Sequence, residues 1–262
     1  MINIFQRSLK QQRRAKKKHL DKRLQMLLRR AKVIEDEILK LQADESFYRV
    51  CIFGSARIKP DTPQYIEVAA LAEKLSRRGI DILTGGGPGL MEAANLGAKR
   101  AHVAPKSGNT EPPPHVSGEI NGLKAGMSYG ISIELPFEPT PNHHLDIKRH
   151  HQKFSSRLDD FVRLSHSIIV TPGGIGTLLE LFFCWQLVQV KHVPPRPILL
   201  LERDYWEGIV EWLRKVTLER ELISAHDFDS IIIVDSVDET CNTIFSHHDN
   251  FLQSFKEESR EL

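Results

Sequence analysis

The sequence predicts an α/β protein whose parallel sheet is covered by helices, and three observations predict it. Short apolar runs alternate with longer stretches of helical pattern from residue 49 onward. Three of those runs end in glycine-rich turns, at Gly54, over residues 85–89 and over residues 173–176. In open α/β sheets ligands bind at the C-terminal ends of strands, so three such turns predict one shared crevice. No internal repeat is present.

Composition narrows the class. A chain of 262 residues accommodates one large α/β domain with a sizeable core. Its three cysteines, Cys51, Cys184 and Cys241, form no C-x-x-C pair. A disulfide framework and a zinc site are therefore not expected, and a reducing cytoplasm is. No apolar run approaches the ~18 residues of a membrane span, and the N-terminus lacks a signal-peptide core.

The net charge of +2 is unevenly distributed. Residues 1–32 hold twelve Lys/Arg against Asp21 alone, a local +11 that leaves −9 for the rest. Residues 11–42 lack Gly and Pro and place Leu20, Leu24, Leu27, Ala31, Ile34, Ile38 and Leu41 at alternating steps of four and three. That spacing predicts an amphipathic basic helix with a heptad seam, packing on the body or on its own copy. We take residues 1–45 as this extension and 46–262 as the main domain. Nucleic acid or an anionic surface is the alternative partner for the RRAKKK cluster, residues 13–18, although no aromatic residues interleave with its charges.

In the main domain, residues 50–53 predict a first strand, followed by Gly54, Ser55, Ala56 and Arg57, then by a helix over 65–78 that Gly79 closes. A second strand over 80–84 runs into the turn at 85–89 and a helix carrying Met91, Glu92, Ala93, Ala94 and Leu96. Neither turn has the G-x-G-x-x-G spacing of the dinucleotide fingerprint or a Walker lysine. Residues 102–127 are rich in Pro, Gly and polar residues and predict a long loop, either a lid or a disordered insertion. A strand returns over 129–135, and residues 143–164 predict a helix bearing His143, His144, His150, His151 and Arg157. Histidines seven apart can share a helix face, but no H-E-x-x-H spacing is present, so a solvated polar face is expected and no metal. Later strands are predicted over 197–201 and 230–234, and later helices over 205–218 and 237–255.

The most informative stretch is SIIVTPGGIGTLLE, residues 167–180. A buried strand leads into a turn of Pro172, Gly173, Gly174 and Gly176, with a helix opening near Thr177. Turn glycines let a ligand approach the backbone amides, and the first N–H groups of a helix lack partners at the positive end of its dipole. A phosphate is the expected guest, and Glu180, about one turn into the helix, can act on what the phosphate anchors. The helix is apolar around most of its circumference as far as Val188, which suits a buried helix or a subunit interface.

PGGIGTLLE matches the PGGxGTxxE motif of the Lonely Guy family, nucleoside 5′-monophosphate phosphoribohydrolases once labelled lysine decarboxylases. FGSAR (53–57), TGGGPGLMEAANLGA (84–98), GISIELPFE (130–138), Asn142 and FSSR (154–157) extend the resemblance over roughly residues 49–235, closest to the longer bacterial-type branch. The resemblance implies a Rossmann-like, doubly wound parallel sheet, a homodimer or higher homo-oligomer, and no cofactor. It also implies a catalytic pair, Glu180 and Arg157. The family usually follows that Arg with Lys; here Leu158 follows.

The implied reaction is hydrolysis of an N-glycosidic bond to free base and ribose 5-phosphate, on cytokinin nucleotides or AMP-like purine nucleotides. A carboxylate beside the anomeric carbon stabilises an oxocarbenium-like transition state and activates water, and Glu180 is the candidate for both tasks. Arg157 would hold Glu180 ionised and oriented, or contact the substrate. Gly173, Gly174, Gly176 and Thr177 would hold the 5′-phosphate, and Gly54, Ser55, Gly86, Gly87, Met91, Glu92 and Asn142 complete the phosphate and ribose site. The first turn of a helix also accommodates an acid such as Glu180 for its dipole alone. The alternative function is a non-catalytic nucleotide or molybdenum-cofactor carrier, which needs no Arg–Glu pair. Lysine decarboxylation is not supported, because no recognisable pyridoxal-phosphate lysine site is present.

Overall fold

The computed structural model describes residues 24–28, 47–103, 119–120, 123–133 and 141–261. The chain divides into two units, Met1–Ser46 and Phe47–Leu262. In the first unit residues 24–28 are helical, with Leu24, Met26, Leu27 and Leu28 exposed. The remainder of the expected basic helix, including the RRAKKK cluster, lies outside the described residues, as does most of the 102–127 insertion.

Seven strands of the second unit form one parallel sheet. They are β1 (Arg49–Phe53), β2 (Asp81–Thr84), β5 (Ser128–Ile133), β6 (Ile147–His151), β7 (Ser167–Val170), β8 (Ile198–Leu201) and β9 (Ile231–Val234), in the order β6-β5-β2-β1-β7-β8-β9. A separate antiparallel pair, β3 (Glu119–Ile120) and β4 (Leu123–Lys124), lies within the insertion. Among the described residues no helix is long and apolar enough to cross a membrane.

Alternation along the strands supplies both faces of the sheet. On β1, Val50 and Ile52 point to one side and Cys51 and Phe53 to the other, all buried. The first side is covered by α1 (Pro63–Arg77), α2 (Leu90–Arg100) and α6 (Val237–Glu261), through residues such as Leu71, Ala94 and Ile244. The second is covered by α3 (Phe154–Leu164), α4 (Ile175–Gln189) and α5 (Arg203–Trp212), through Phe161, Leu181 and Trp206. With both faces covered, the strands read as continuous apolar runs, which is why the sequence signals them clearly. All three cysteines are free and buried.

The expected helix over 143–164 is corrected. Its first part is β6, pairing in parallel with β5 from Tyr129↔Ile147 to Ile133↔His151, and helix α3 begins at Phe154. Residues 147–151, IKRHH, carry one aliphatic residue and alternate between half-buried and exposed, so neither helical nor strand periodicity stands out. Backbone pairing to β5 decides the conformation, and Lys148, Arg149 and two histidines at the sheet edge discourage pairing with another chain. Adjacent on a strand, His150 and His151 face opposite ways: His150 meets Ser132, and His151 meets Ser156 and Asp160. The expected helix over 205–218 is α5 continued by a π-helical segment, Leu213–Leu218.

Opposite the glycine turns, the N-terminal ends of the strands enclose a polar cluster. Arg49 and Asp81 pair at 3.4 Å and are almost fully buried. Tyr48 hydrogen-bonds Ser167 and stacks on His166, whose Nδ1 accepts the Arg49 N–H at 3.1 Å; His248 and Phe251 of α6 pack on the same Tyr48. Burial, reinforced by the charges of Arg49, Arg196 and His248, pushes His166 down to about 4. Between that value and the ordinary 6.5 the unfolded chain binds a proton that the folded one refuses. The contribution of His166 is therefore complete above pH 6.5 and is lost as the pH falls toward 4, by roughly 3 kcal/mol. His248, pushed down by burial and by Arg78, acts in the same sense. Asp81, pushed up by burial, acts in the opposite one: its contribution is complete below 3.8 and lost as pH rises through its folded value. Thermal midpoints of wild type and His166→Phe across this window check the expectation: wild type should lose stability steeply and the variant less so. A flat wild-type profile would contradict it.

Candidate active site

Chain order reverses at β1. From β1 the chain moves outward through β2, β5 and β6, then returns to β1's other side as β7 and continues through β8 to β9. The crevice where an α/β sheet switches direction is where ligands bind, and the turns after β1 and β7 meet there. They are joined directly: the Ser55 N–H donates to the Pro172 carbonyl at 3.0 Å, and Thr171 Oγ1 donates to the Phe53 carbonyl at 2.8 Å. The Leu90 N–H donates to the Ser55 carbonyl at 2.9 Å, tying the start of α2 to the same turn, and Ser55 Oγ accepts the Arg57 N–H at 3.1 Å.

The second glycine turn rests on a buried amide network. The Gly86 N–H donates to Thr84 Oγ1, and Thr84 Oγ1 donates to Asn95 Oδ1. Asn142 donates its backbone N–H to the Gly86 carbonyl at 2.8 Å, and its Nδ2 lies within 3.1 Å of the Gly86 and Gly87 carbonyls and of Asn95 Oδ1. Asn142 is buried, and its amide is engaged with the turn from below. Buried amides with several partners hold a backbone firmly, since each bond lost exposes an unsatisfied group.

Arg157 of α3 and Glu180 of α4 face each other, Nη1 to Oε1 at 3.4 Å, each side chain 12% exposed. Arg157 is held from two further sides: its Nε donates to the Ile131 carbonyl at 2.9 Å, and its guanidinium lies over the Phe161 ring, 5.0 Å from the centroid. It also reaches the second turn. A Cβ on Gly85 would stand 2.5 Å from Arg157 Nη2 and 2.7 Å from Met91 Sδ, so glycine there leaves both side chains the positions they occupy. Leu158, where the family usually has Lys, is buried in the core beneath.

The third turn presents the opening. Gly174 and Gly176 are exposed, and a Cβ on either would meet nothing within 4 Å. Gly174 caps α4, whose first turn contains no acid to compete with a bound anion. Thr177 is buried, its Cβ only 2.6 Å from where a Cβ on Gly173 would stand, so it packs beneath the loop. Glu180 lies five residues into α4 from Ile175, about 7.5 Å along the axis. That spacing is comparable to the span of a ribose 5-phosphate.

Strand ends thus bring Gly54, Ser55, Gly86, Gly87, Met91, Arg157, Gly173, Gly174, Gly176, Thr177 and Glu180 around the switch point. Glu92, in the first turn of α2, lies near enough to Tyr65 of α1 for its charge to add to the burial that pushes that phenol up. Gly85, Asn95, Ile131 and Phe161 are not among the expected site residues, although the first three lie inside the motifs at 84–98 and 130–138; the Ile131 carbonyl and the Phe161 ring act through positions that look like ordinary core.

Residues 116–244, which include Arg157, the third turn and Glu180, match the model of a family described as "Possible lysine decarboxylase". The chain is 32% identical over 126 residues to the pyrimidine/purine nucleotide 5′-monophosphate nucleosidase of Escherichia coli strain K12, covering 46% of this chain and 23% of that protein. It is 26% identical over 180 residues to the "Probable cytokinin riboside 5′-monophosphate phosphoribohydrolase" of Oryza sativa subsp. japonica, covering 66% and 62%. The chain spans less than a quarter of the bacterial relative's length. In fold it is similar to the molybdenum cofactor carrier protein from Chlamydomonas reinhardtii, with a TM-score of 0.53 and 16% identity over 78% of this chain and 99% of that one. By motif, family match and relatives, the chain is similar to the Lonely Guy family.

Proposed function

We propose that the chain hydrolyses the N-glycosidic bond of a nucleoside 5′-monophosphate, giving free base and ribose 5-phosphate, with AMP-like purine or cytokinin nucleotides as the substrate class. The observation that carries this reading is the Arg157–Glu180 pair, whose carboxylate lies on the same helix as the open N-terminus at Gly174. In this reading the 5′-phosphate rests on the amides of Gly173, Gly174 and Gly176, with Thr177 supporting the turn, and the ribose extends along the crevice toward Glu180. Gly54, Ser55, Gly86, Gly87, Met91 and Glu92 line the remaining wall, and Asn142 acts by holding the second turn.

As the bond to the base breaks, its electron pair leaves with the base and positive charge develops on the ribose ring. The Glu180 carboxylate stabilises that charge and accepts a proton from the attacking water, whose oxygen becomes the anomeric hydroxyl. The departing base takes up a proton. Arg157, fixed by the Ile131 carbonyl and the Phe161 ring, keeps the carboxylate aimed.

Incubation with AMP, GMP, CMP, UMP and a cytokinin nucleotide, following free base, tests the reading. Base release from at least one is expected; tight binding without release from any would favour a carrier. The outer face of α4 leaves Ile175, Leu179 and Phe182 exposed, and we propose that the chain self-associates there. Sedimentation of the full chain as a monomer would contradict this.

A further inference from the structure

The hydroxyl of Tyr205 donates a hydrogen bond to the Gly173 carbonyl, the first glycine of the third turn. Tyr205 belongs to α5, outside every motif the sequence singles out. β8 neighbours β7, so the turn that follows β8 emerges beside the turn that follows β7. Several features aim this side chain. Glu202, which caps α5, adopts φ 82 and ψ 89, a left-handed conformation that a non-glycine residue occupies only under strain. It turns the chain sharply from β8 into α5, and its carbonyl accepts the N–H groups of Tyr205 at 3.1 Å and Trp206 at 3.3 Å. The Tyr205 ring meets Trp206 edge-on, centroids 4.9 Å apart, and Trp206 is almost fully buried. The phenol is thus anchored on the core while Tyr205 as a whole remains 45% exposed. A strained backbone that delivers an exposed ring to one carbonyl suits a site better than a core.

The chemistry of the peptide unit says what the bond does. In a planar trans peptide the N–H points opposite the C=O. Holding the Gly173 carbonyl toward Tyr205 therefore directs the Gly174 N–H away from it. Gly173 is crowded on another side by Thr177, whereas the space around Gly174 and Gly176 is open. A donor on the carbonyl also polarises the same peptide and strengthens its N–H as a donor.

We infer that Tyr205 is a positioning residue for the anion-binding turn: its hydroxyl pins the Gly173–Gly174 peptide in the orientation that receives the substrate's phosphate. This rests on the nucleotide reading above and adds to it a residue from a fourth strand end. Without the hydroxyl the peptide is free to rotate, and the phosphate loses a pre-aimed donor in ground state and transition state alike. Such a loss raises KM and leaves kcat nearly unchanged.

Tyr205→Phe keeps the ring on Trp206 and removes only the hydroxyl. Its KM for the nucleotide cleaved best and its Kd for ribose 5-phosphate by calorimetry should both rise about five- to tenfold, the scale of one net hydrogen bond. Its kcat should stay within about twofold and its melting temperature should be unchanged. The rate with the matching nucleoside, which has no phosphate to hold, should equal that of wild type. Unchanged KM and Kd would overturn the inference and leave the nucleotide reading standing, as would an equal loss with the nucleoside. If wild type neither binds ribose 5-phosphate nor releases base, the nucleotide reading fails and the inference fails with it.

Discussion

Glu180→Gln is expected to lower kcat for base release by about a thousandfold, the scale of losing both charge stabilisation and a general base at one reacting centre. Gln keeps the length of the side chain and an oxygen for Arg157, so the half-buried guanidinium is not left facing an empty space. What disappears is the negative charge opposite the developing oxocarbenium ion and the site that accepts the water's proton. In the proposed reading phosphate binding depends on the turn that begins α4, about 7.5 Å away along the helix, and should persist. The variant is therefore expected to bind ribose 5-phosphate with an affinity within about threefold of wild type while turning over almost no substrate. Turnover traces and calorimetry on the same preparation check both halves. A variant with near wild-type kcat would remove Glu180 from the reaction and leave it as the ion-pair partner of Arg157.

The second large effect is on stability. Gly89 caps α2 with φ 70 and ψ −133, a region that residues with a Cβ essentially do not occupy. A Cβ there would collide with the Ser55 carbonyl oxygen and lie 2.7 Å from the carbonyl carbon of Ala56. Both obstacles are backbone, and the same Ser55 carbonyl accepts the Leu90 N–H. Relief requires the turn after β1 to move, and with it the Ser55–Pro172 bond that ties this turn to the third. Gly89→Ala should cost roughly 3 kcal/mol from strain and overpacking together, a fall of about 10 °C in melting temperature for a domain of this size. Gly208→Ala supplies the contrast: it lies inside α5 with nothing within 4 Å of the added methyl, and should be neutral or raise stability by up to about 1 kcal/mol. Equal melting temperatures for the two variants would show that the crowding at Gly89 is relieved at no cost.

What was legible in advance follows from burial. Strands covered on both faces, such as β1, β7 and β8, are continuous apolar runs and announce themselves. β6, at the sheet edge, carries charge and imidazole in place of that signal, so its conformation followed from the β5 backbone beside it. The site divides in the same way. Glycines and the carboxylate of residues 173–180 are local chemistry, readable within one turn and the start of one helix. The Ile131 carbonyl beneath Arg157, the space cleared by Gly85 and the Asn142–Asn95 network join residues 26 to 72 positions apart. Such contacts leave no mark on spacing, because they depend on which strands lie side by side.

By itself, then, the sequence determined the alternating α/β class and the three glycine turns and offered Glu180 as a candidate beside the third, with Arg157 added by the family resemblance. Those properties rest on backbone freedom, helix polarity and side-chain charge, which each segment carries with it. Only the tertiary structure decided that the chain reverses at β1, that Arg157 and Glu180 stand 3.4 Å apart, and that Tyr205 reaches Gly173. Each of these is set by strand order, since neighbouring strands in the sheet deliver their C-terminal turns to one crevice whatever their separation along the chain.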